Sequence, residues 1–143
     1  MANPYYSLPI NFDSLTSLGH HPTCSLKQSI AQHIHLLATS YFGDCKFDES
    51  FGCAIWDFDF DNSMTELKLR DKLKKNIQTA LTIHEPRLQN IDISVLTTQV
   101  SLTNTGAPRI KNRIDVSIKA RLTKTNDLFE YYEFFFLGPL SYY

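Results

Sequence analysis

The stretch IKNRIDVSIKARL, residues 110–122, decides the fold, because apolar and polar side chains alternate along nearly all of it. The apolar members are Ile110, Ile114, Val116, Ile118, Ala120 and Leu122. The polar members include Lys111, Arg113, Asp115, Ser117, Lys119 and Arg121. A period of two is typical of a β-strand with one face in the core and the other in water, as in antiparallel sheets. We therefore expect such a strand here.

Two further strands are predicted on either side of it. The strand that starts at residue 91 changes parity, because one apolar set is followed by another set one position out of step, which predicts a bulge or break near Val95 and Leu96. The two sets are Ile91, Ile93, Val95 and then Leu96, Val100, Leu102. The turn NTGAP (104–108) joins the first two strands, and the turn KTND (124–127) leads to a third at residues 129–137. The end of the chain, FFFLGPLSYY (134–143), is apolar on both faces and is predicted to be half core and half interface.

Two helices are predicted before the strands. Ser25 and Gln28 form a capping box that opens a helix ending near Ser40, and Ser63 and Glu66 form another that opens a helix ending near His84. Their apolar stripes are Leu26, Ile30, Ile34, Leu37 and Leu69, Leu73, Ile77, Ala80, Leu81. The segment between the helices is turn-rich, with a short extended piece at residues 54–60. The order predicts an α+β fold in which two main helices pack on one face of a three-stranded antiparallel meander.

Composition and the N-terminal residues limit the class of protein. Residues 1–22 contain Pro4, Pro9 and Pro22 without a period, so we expect an extended N-terminal arm followed by a single domain over residues 23–143. The net charge of -1 argues against a nucleic-acid partner. No apolar run is long enough for a membrane span, and we expect no direct membrane insertion, no secretory signal and a cytoplasmic protein. The three cysteines are irregularly spaced, which predicts no disulfide framework.

The sequence has no clear catalytic, metal or cofactor motif. Asp44, Asp48, Glu49 and Glu85 could supply the two carboxylates of a glycosidase, but their spacing selects no pair. His33 and His35 are two residues apart on a helix and diverge, so no metal site is predicted. No glycine-rich phosphate loop is present, and we expect no cofactor.

The stretch LTIHEPRLQN, residues 81–90, places the Glu85 carboxylate at a helix C-terminus, where the helix dipole favours cations. Pro86 cannot continue the helix and pushes Glu85 toward an extended conformation. If the chain is extended on both sides of Pro86, the side chains of Glu85 and Arg87 point to the same side and form an acid and base pair. Taken alone, the tripeptide is better explained as a helix stop with local hydrogen bonds.

Three motifs together resemble those of a known family. They are Leu36-Leu37-Ala38-Thr39 followed by Gly43 and Asp44, the Phe51-Gly52-Cys53 turn, and Glu85-Pro86-Arg87-Leu88 followed by alternating strands. In this order they resemble the lysozyme-like baseplate wedge proteins of tailed phages and their bacterial relative, the type VI secretion subunit TssE. The resemblance covers about residues 25–137. Asp44 replaces a common glutamate, and residues 46–50 replace a loop that usually brings a proline, which leaves the geometry of this loop open.

The resemblance implies a structural role without catalysis, in a baseplate at the inner face of the cytoplasmic membrane. It implies a domain whose fold is like the strand-exchange ("handshake") part of the sheath subunits. It also implies that this chain binds TssF-like and TssG-like wedge subunits and templates a TssB/TssC-like sheath. Carried over to this chain, the partner-binding residues are Glu85, Pro86, Arg87 and Leu88, with Leu88 anchoring the turn in the core. Three alternatives remain: a phage or phage-like contractile particle, a muramidase, and a free-standing binding module that uses the C-terminal aromatics.

Overall fold

The three-stranded sheet predicted from the alternating sequence forms the centre of the molecule. A computed structural model describes residues 5–53, 65–102 and 109–137 of the chain. Strands β3 (Leu88–Leu102), β4 (Arg109–Leu122) and β5 (Leu128–Leu137) pair antiparallel in sequence order. The inner face of β4 supplies five buried side chains, Ile114, Val116, Ile118, Ala120 and Leu122. The predicted meander is therefore confirmed.

The break predicted near Val95 and Leu96 is wrong. Pairing of β3 with β4 is continuous from Asp92 to Leu102, and the irregularity lies between Gln89 and Asp92. The parity change in the sequence arises because polar Thr97 takes an inward position and is buried, while apolar Leu96 points outward and is 57% exposed. A polar residue on the core side was thus misread as a break.

Helices α2 (Leu26–Thr39) and α3 (Glu66–His84) cover the inner face of the sheet through one continuous core, so the α+β fold is confirmed. Ser25 caps α2 with the predicted capping box. Thr65 caps α3 by accepting a hydrogen bond from the Lys68 backbone N–H, two residues after the predicted cap Ser63, which lies outside the described residues. The buried side chains of the two helices are Ile30, Ile34, Leu37, Leu73, Ile77, Ala80 and Leu81.

The N-terminal segment differs from the predicted extended arm. Strands β1 (Tyr5–Tyr6) and β2 (Thr23–Cys24) pair antiparallel, and helix α1 (Phe12–Leu18) lies between them in sequence. Asn11 caps α1 by accepting a hydrogen bond from the Ser14 backbone N–H, a local signal that the proline content obscured. The Leu8 backbone N–H donates to Gln32 on α2 at 3.2 Å. Division of the chain at residue 22 remains a prediction.

Some predictions fall on residues that the structure does not describe. They are the extended piece at 54–60, the NTGAP turn at 104–108 and the C-terminal residues 138–143. The KTND turn is described: the Leu122 backbone N–H donates to the Asp127 carbonyl, and Asn126 has a positive φ of 60°. No helix in the described residues is both long and apolar enough to cross a membrane.

Candidate functional site

Helix α3 ends at His84, as predicted, but the chain then turns over Pro86 and Arg87, so it is not extended on both sides of the proline. The Glu85 backbone N–H still donates to the Leu81 carbonyl at 2.9 Å, but Glu85 itself has left the helix, with φ -123° and ψ 78°. The Leu88 backbone N–H then donates to the Glu85 carbonyl at 3.4 Å, which closes a turn over Pro86 and Arg87. Pro86 therefore ends the helix, and Leu88 begins strand β3 as a buried residue.

The Glu85 carboxylate is the centre of a hydrogen-bonded cluster. Its Oε1 accepts from the Arg87 Nε at 2.7 Å and from the Arg87 backbone N–H at 3.2 Å. Its Oε2 accepts from the Arg87 Nη2 at 2.8 Å and lies 2.7 Å from the His33 Nδ1 on helix α2. The predicted acid and base pair is present, but a turn and not an extended chain brings its two members together. Glu85 is only 1% exposed and faces inward toward α2.

The cluster keeps the Glu85 carboxylate ionised. Burial alone would raise its pKa, because the charged form loses water. The hydrogen bonds from Arg87 and His33, together with their charges, outweigh burial and lower the pKa of Glu85 from 4.5 to about 2. The same carboxylate hydrogen bond raises the pKa of Arg87. Both members of the pair are thus charged at neutral pH.

Arg87 is held from several sides and still reaches the surface. Its Nη1 donates to the Ser29 Oγ at 2.9 Å, and its guanidinium carbon lies 5.4 Å from the centre of the Tyr5 ring. Its carbonyl accepts from the Thr123 backbone N–H at 2.9 Å. The Arg87 side chain is 25% exposed, and Pro86 beside it is exposed. The surface part of the motif is therefore Pro86 and Arg87, whereas Leu88 lies in the core.

The Phe51-Gly52-Cys53 turn packs against this cluster. The Phe51 ring lies between His33 and His84, with ring centres 5.7 and 5.3 Å away. The Cys53 backbone N–H donates to the Ser40 carbonyl at 3.1 Å. Gly52 has φ 142°, and a Cβ there would lie 2.8 Å from the Tyr41 backbone carbon, so the turn requires glycine. Two of the three recognised motifs thus form one site.

Besides Glu85, two of the carboxylates considered for catalysis, Asp44 and Asp48, have structural contacts. The Asp44 carboxylate accepts from the Tyr41 backbone N–H at 2.9 Å, and that of Asp48 accepts from the Ser50 backbone N–H at 3.0 Å. The Ser50 hydroxyl hydrogen bond lowers the pKa of Asp48. Over residues 5–53, 65–102 and 109–137, no group of three or more His, Cys, Asp or Glu residues could hold a metal ion.

Sequence reasoning missed the residues of α2 that complete the site. Ser29 and His33 are four residues apart and therefore lie on one helix face, but the histidines were weighed only as metal ligands. Their convergence on Glu85 and Arg87 depends on how α2 packs beside the end of α3. The helical spacing could have placed Ser29 and His33 on one face of α2. No signal in the sequence indicates which residues that face contacts.

Comparisons with known proteins agree with the motif resemblance. The sequence profile of the family described as baseplate wedge protein gp25 matches residues 24–127. No curated protein matches the chain. The fold is similar to the 1.44 Å crystal structure of a candidate tail lysozyme from Geobacter sulfurreducens, with a TM-score of 0.57 and 22% identity over 82% of this chain and 96% of that one. At this identity the likeness shows the fold alone.

The family match spans the candidate site except for Tyr5. It begins just before α2, includes the Phe51-Gly52-Cys53 turn and the Glu85 cluster, and ends after β4. It therefore covers both helices that contribute to the cluster and the turn that packs on it. The chain belongs to the baseplate wedge protein gp25 family, and at that level it is a structural baseplate protein of the phage-tail or contractile-injection class.

Proposed function

We propose that the chain is the TssE-like wedge subunit of a type VI secretion baseplate. In this role it docks on a helical core bundle made by TssF-like and TssG-like subunits, and it templates a TssB/TssC-like sheath. The particle would stand at the inner, cytoplasmic face of the cytoplasmic membrane. Family membership and the three sequence motifs support the proposal.

The observation that carries the proposal is that Arg87 is fixed before any partner binds. Glu85 and Ser29 engage its Nε, Nη1 and Nη2, and a guanidinium has five N–H donors. Donors therefore remain for an acceptor outside the cluster. Fixing a long side chain in advance removes much of the entropy lost on binding, so the arrangement suits a docking contact.

The four residues of the motif then have different roles. Arg87 donates charge-assisted hydrogen bonds to carboxylate or helix-terminal carbonyl oxygens of the bundle, and exposed Pro86 contacts it directly. Glu85 is a positioning residue, because its oxygens are occupied within the chain. Leu88 anchors the turn in the core at 6% exposure.

The sheet offers the surface for the sheath. Within the described residues β3 and β5 are the outer strands of the order β3-β4-β5. An outer strand presents unpaired backbone N–H and C=O groups, which a strand from a sheath subunit can satisfy by strand addition.

Co-expression with TssF-like and TssG-like subunits tests the docking role, with co-purification as the readout. Arg87→Ala leaves the buried Glu85 carboxylate without its main partner and so disturbs the fold as well as the surface. The double variant Glu85→Gln/Arg87→Met removes both charges together. Pro86→Ala removes an exposed contact but also the residue that ends α3, so its unfolding curve is compared with wild type. Arg121→Ala is the matched control, because Arg121 is exposed and donates to the Asn126 carbonyl outside the cluster.

We expect wild type and Arg121→Ala to co-purify with the TssF-like and TssG-like subunits. Arg87 variants that fold like wild type are expected not to co-purify. Failure of wild type to co-purify contradicts the type VI role and leaves a phage-like particle. Equal co-purification of folded Arg87 variants contradicts only the role of the motif.

A muramidase is the second function considered, because the structurally similar protein carries a lysozyme description. A glycosidase needs a general acid that holds a proton near neutral pH. Glu85, with a pKa of about 2, is ionised there, and the pKa of Asp48 is lowered as well. Peptidoglycan turnover by the purified chain, abolished by neutralising Asp44, Asp48, Glu49 or Glu85, would support this function against the proposal.

A further inference from the structure

The outer face of the sheet, turned away from the helices, carries a cluster of aromatic and charged side chains that the proposed docking site does not use. We define the outer-face cluster as Leu96, Arg113, Asp115, Tyr132, Phe134 and Phe136. The pairing register places them in neighbouring rows: Leu96 lies opposite Asp115, which lies opposite Phe134, and Arg113 lies opposite Phe136. Leu96, Tyr132 and Phe134 are 57%, 58% and 46% exposed.

The cluster is held in one arrangement by its own contacts. The Arg113 Nε donates to the Asp115 Oδ1 at 3.0 Å, and its Nη2 donates to the Tyr132 hydroxyl at 3.1 Å. The Tyr132 hydroxyl in turn donates to Asp115. The Arg113 guanidinium lies over the Phe134 ring, 4.3 Å from its centre, and Phe134 meets Phe136 edge to face at 5.7 Å. Exposed aromatic rings ordered around an arginine are typical of the centre of a protein interface.

Charge indicates the chemistry of the partner. Arg113 and Asp115 form an ion pair within the cluster, so together they add no net charge to it. The row on the Tyr132 side that contains Asp92, Lys119 and Glu130 alternates in sign across the three strands. A complementary surface is therefore apolar over the cluster and polar where it reaches this row.

The size of the outer-face cluster favours a helix over a second copy of the chain as the partner. From Tyr132 to Phe136 the strand advances about 14 Å, and three strands span about 10 Å. An α-helix is about 10 Å wide, and 14 Å corresponds to about nine of its residues. A stable dimer needs about 800 Å² from each partner, several times this footprint.

We propose that the outer-face cluster binds the apolar face of an amphipathic helix from another baseplate subunit. The site is distinct from Arg87, because Arg87 lies at the helix-covered face beside α2, next to the first residues of β3. The chain thus has a second docking surface on the opposite face of its sheet. The inference rests on the baseplate role of the family and not on the function proposed for Arg87.

The test places a photo-crosslinking residue, p-benzoylphenylalanine, at Phe134 in full-length chain assembled into purified baseplates. The same residue at Leu128 is the matched control, since Leu128 is 52% exposed on the same strand but lies outside the cluster. Crosslinked peptides are identified by mass spectrometry. We expect a crosslink from position 134, absent from position 128, to an amphipathic helix of another subunit. A crosslink to a second copy, to a β-strand or to this chain itself overturns the proposal, and so does no crosslink at all.

A second measurement removes the side chain. Phe134→Ser is expected to lower the amount of chain in purified baseplates tenfold or more, as for a central interface residue, whereas Leu128→Ser stays within about twofold of wild type. Unfolding curves of both variants must match wild type for the comparison to hold. Folded Phe134→Ser at wild-type amounts overturns the proposal. The effect of Arg87 variants on assembly is measured in a separate experiment. The proposal for the outer-face cluster and the proposal for Arg87 can therefore fail independently.

Discussion

Glu85 and Arg87 form a two-pronged ion pair across a single proline, with Nε–Oε1 and Nη2–Oε2 distances of 2.7 and 2.8 Å. The carboxylate is buried, while the arginine and Pro86 reach the surface. His33 and Ser29 on α2 complete the contacts, so this pair also joins the end of α3 to α2. A buried ion pair of this kind makes stability, pH dependence and docking depend on the same few atoms.

Stability is expected to fall in acid because of Glu85. Its pKa is about 2 in the folded chain and 4.5 ordinarily, so the unfolded chain binds the proton more readily. The stabilisation is fully present above pH 4.5 and is lost as the pH falls from 4.5 toward 2. The difference corresponds to about 3 kcal/mol. Urea unfolding at a series of pH values measures it.

Glu85→Gln isolates this contribution from other carboxylates with lowered pKa, such as Asp115. The variant is expected to be less stable than wild type by about 3 kcal/mol at pH 7, with the gap narrowing toward pH 2. A gap that is constant across this range would mean that the charge of Glu85 does not stabilise the fold.

Removing Arg87 alone is expected to lower the free energy of unfolding more than removing Glu85 alone. Arg87→Met leaves a carboxylate with 1% exposure without its main partner and is expected to cost about 3 to 5 kcal/mol. Glu85→Gln leaves a partly exposed guanidinium that water can reach, so its cost is smaller. The double variant should be more stable than Arg87→Met alone. Simple additivity of the two single effects in urea unfolding would exclude the coupling.

The sequence was sufficient for features that depend on local chemistry. The alternation at residues 110–122, the capping box at Ser25 and the helix stop at Pro86 each act within a few residues, and all three are found. The α2 partners of the pair could not be predicted in the same way, because His33, which contacts Glu85, and Ser29, which contacts Arg87, are each more than 50 residues away in sequence. Which face of α2 meets the end of α3 is decided by packing of the whole core.

Gly52 is expected to be intolerant of a side chain. Gly52→Ala would place a Cβ 2.8 Å from the Tyr41 backbone at a φ of 142°, so we expect a loss of about 2 kcal/mol or more. Gly43→Ala is the control, because its φ is also positive at 89° but nothing lies within 4 Å of the added atom. Thermal unfolding should rank Gly52→Ala clearly below Gly43→Ala, and equal melting temperatures would show that the turn relaxes freely.

Thr97 is expected to stabilise the fold through its hydroxyl, although it occupies a position on the core side of β3. The hydroxyl donates to the Glu66 Oε1 at 2.5 Å and accepts from the Arg70 Nε at 3.1 Å, which joins the first turn of α3 to the sheet. Thr97→Val keeps the shape and removes both bonds, so we expect a loss of about 1 to 2 kcal/mol in urea unfolding.

Thr98→Val is the matched control for Thr97→Val, because Thr98 is exposed on the outer face, and its change in the free energy of unfolding is expected to stay within about 0.5 kcal/mol.

The register of β3 is tested by alanine variants of Leu96 and Ile93. If the strand broke near Leu96, as the apolar pattern alone suggests, Leu96 would carry core packing and Leu96→Ala would be costly. With Leu96 57% exposed, the isolated chain should lose less from Leu96→Ala than from truncating buried Ile93 to alanine. The reverse order would contradict the pairing that places Thr97 in the core.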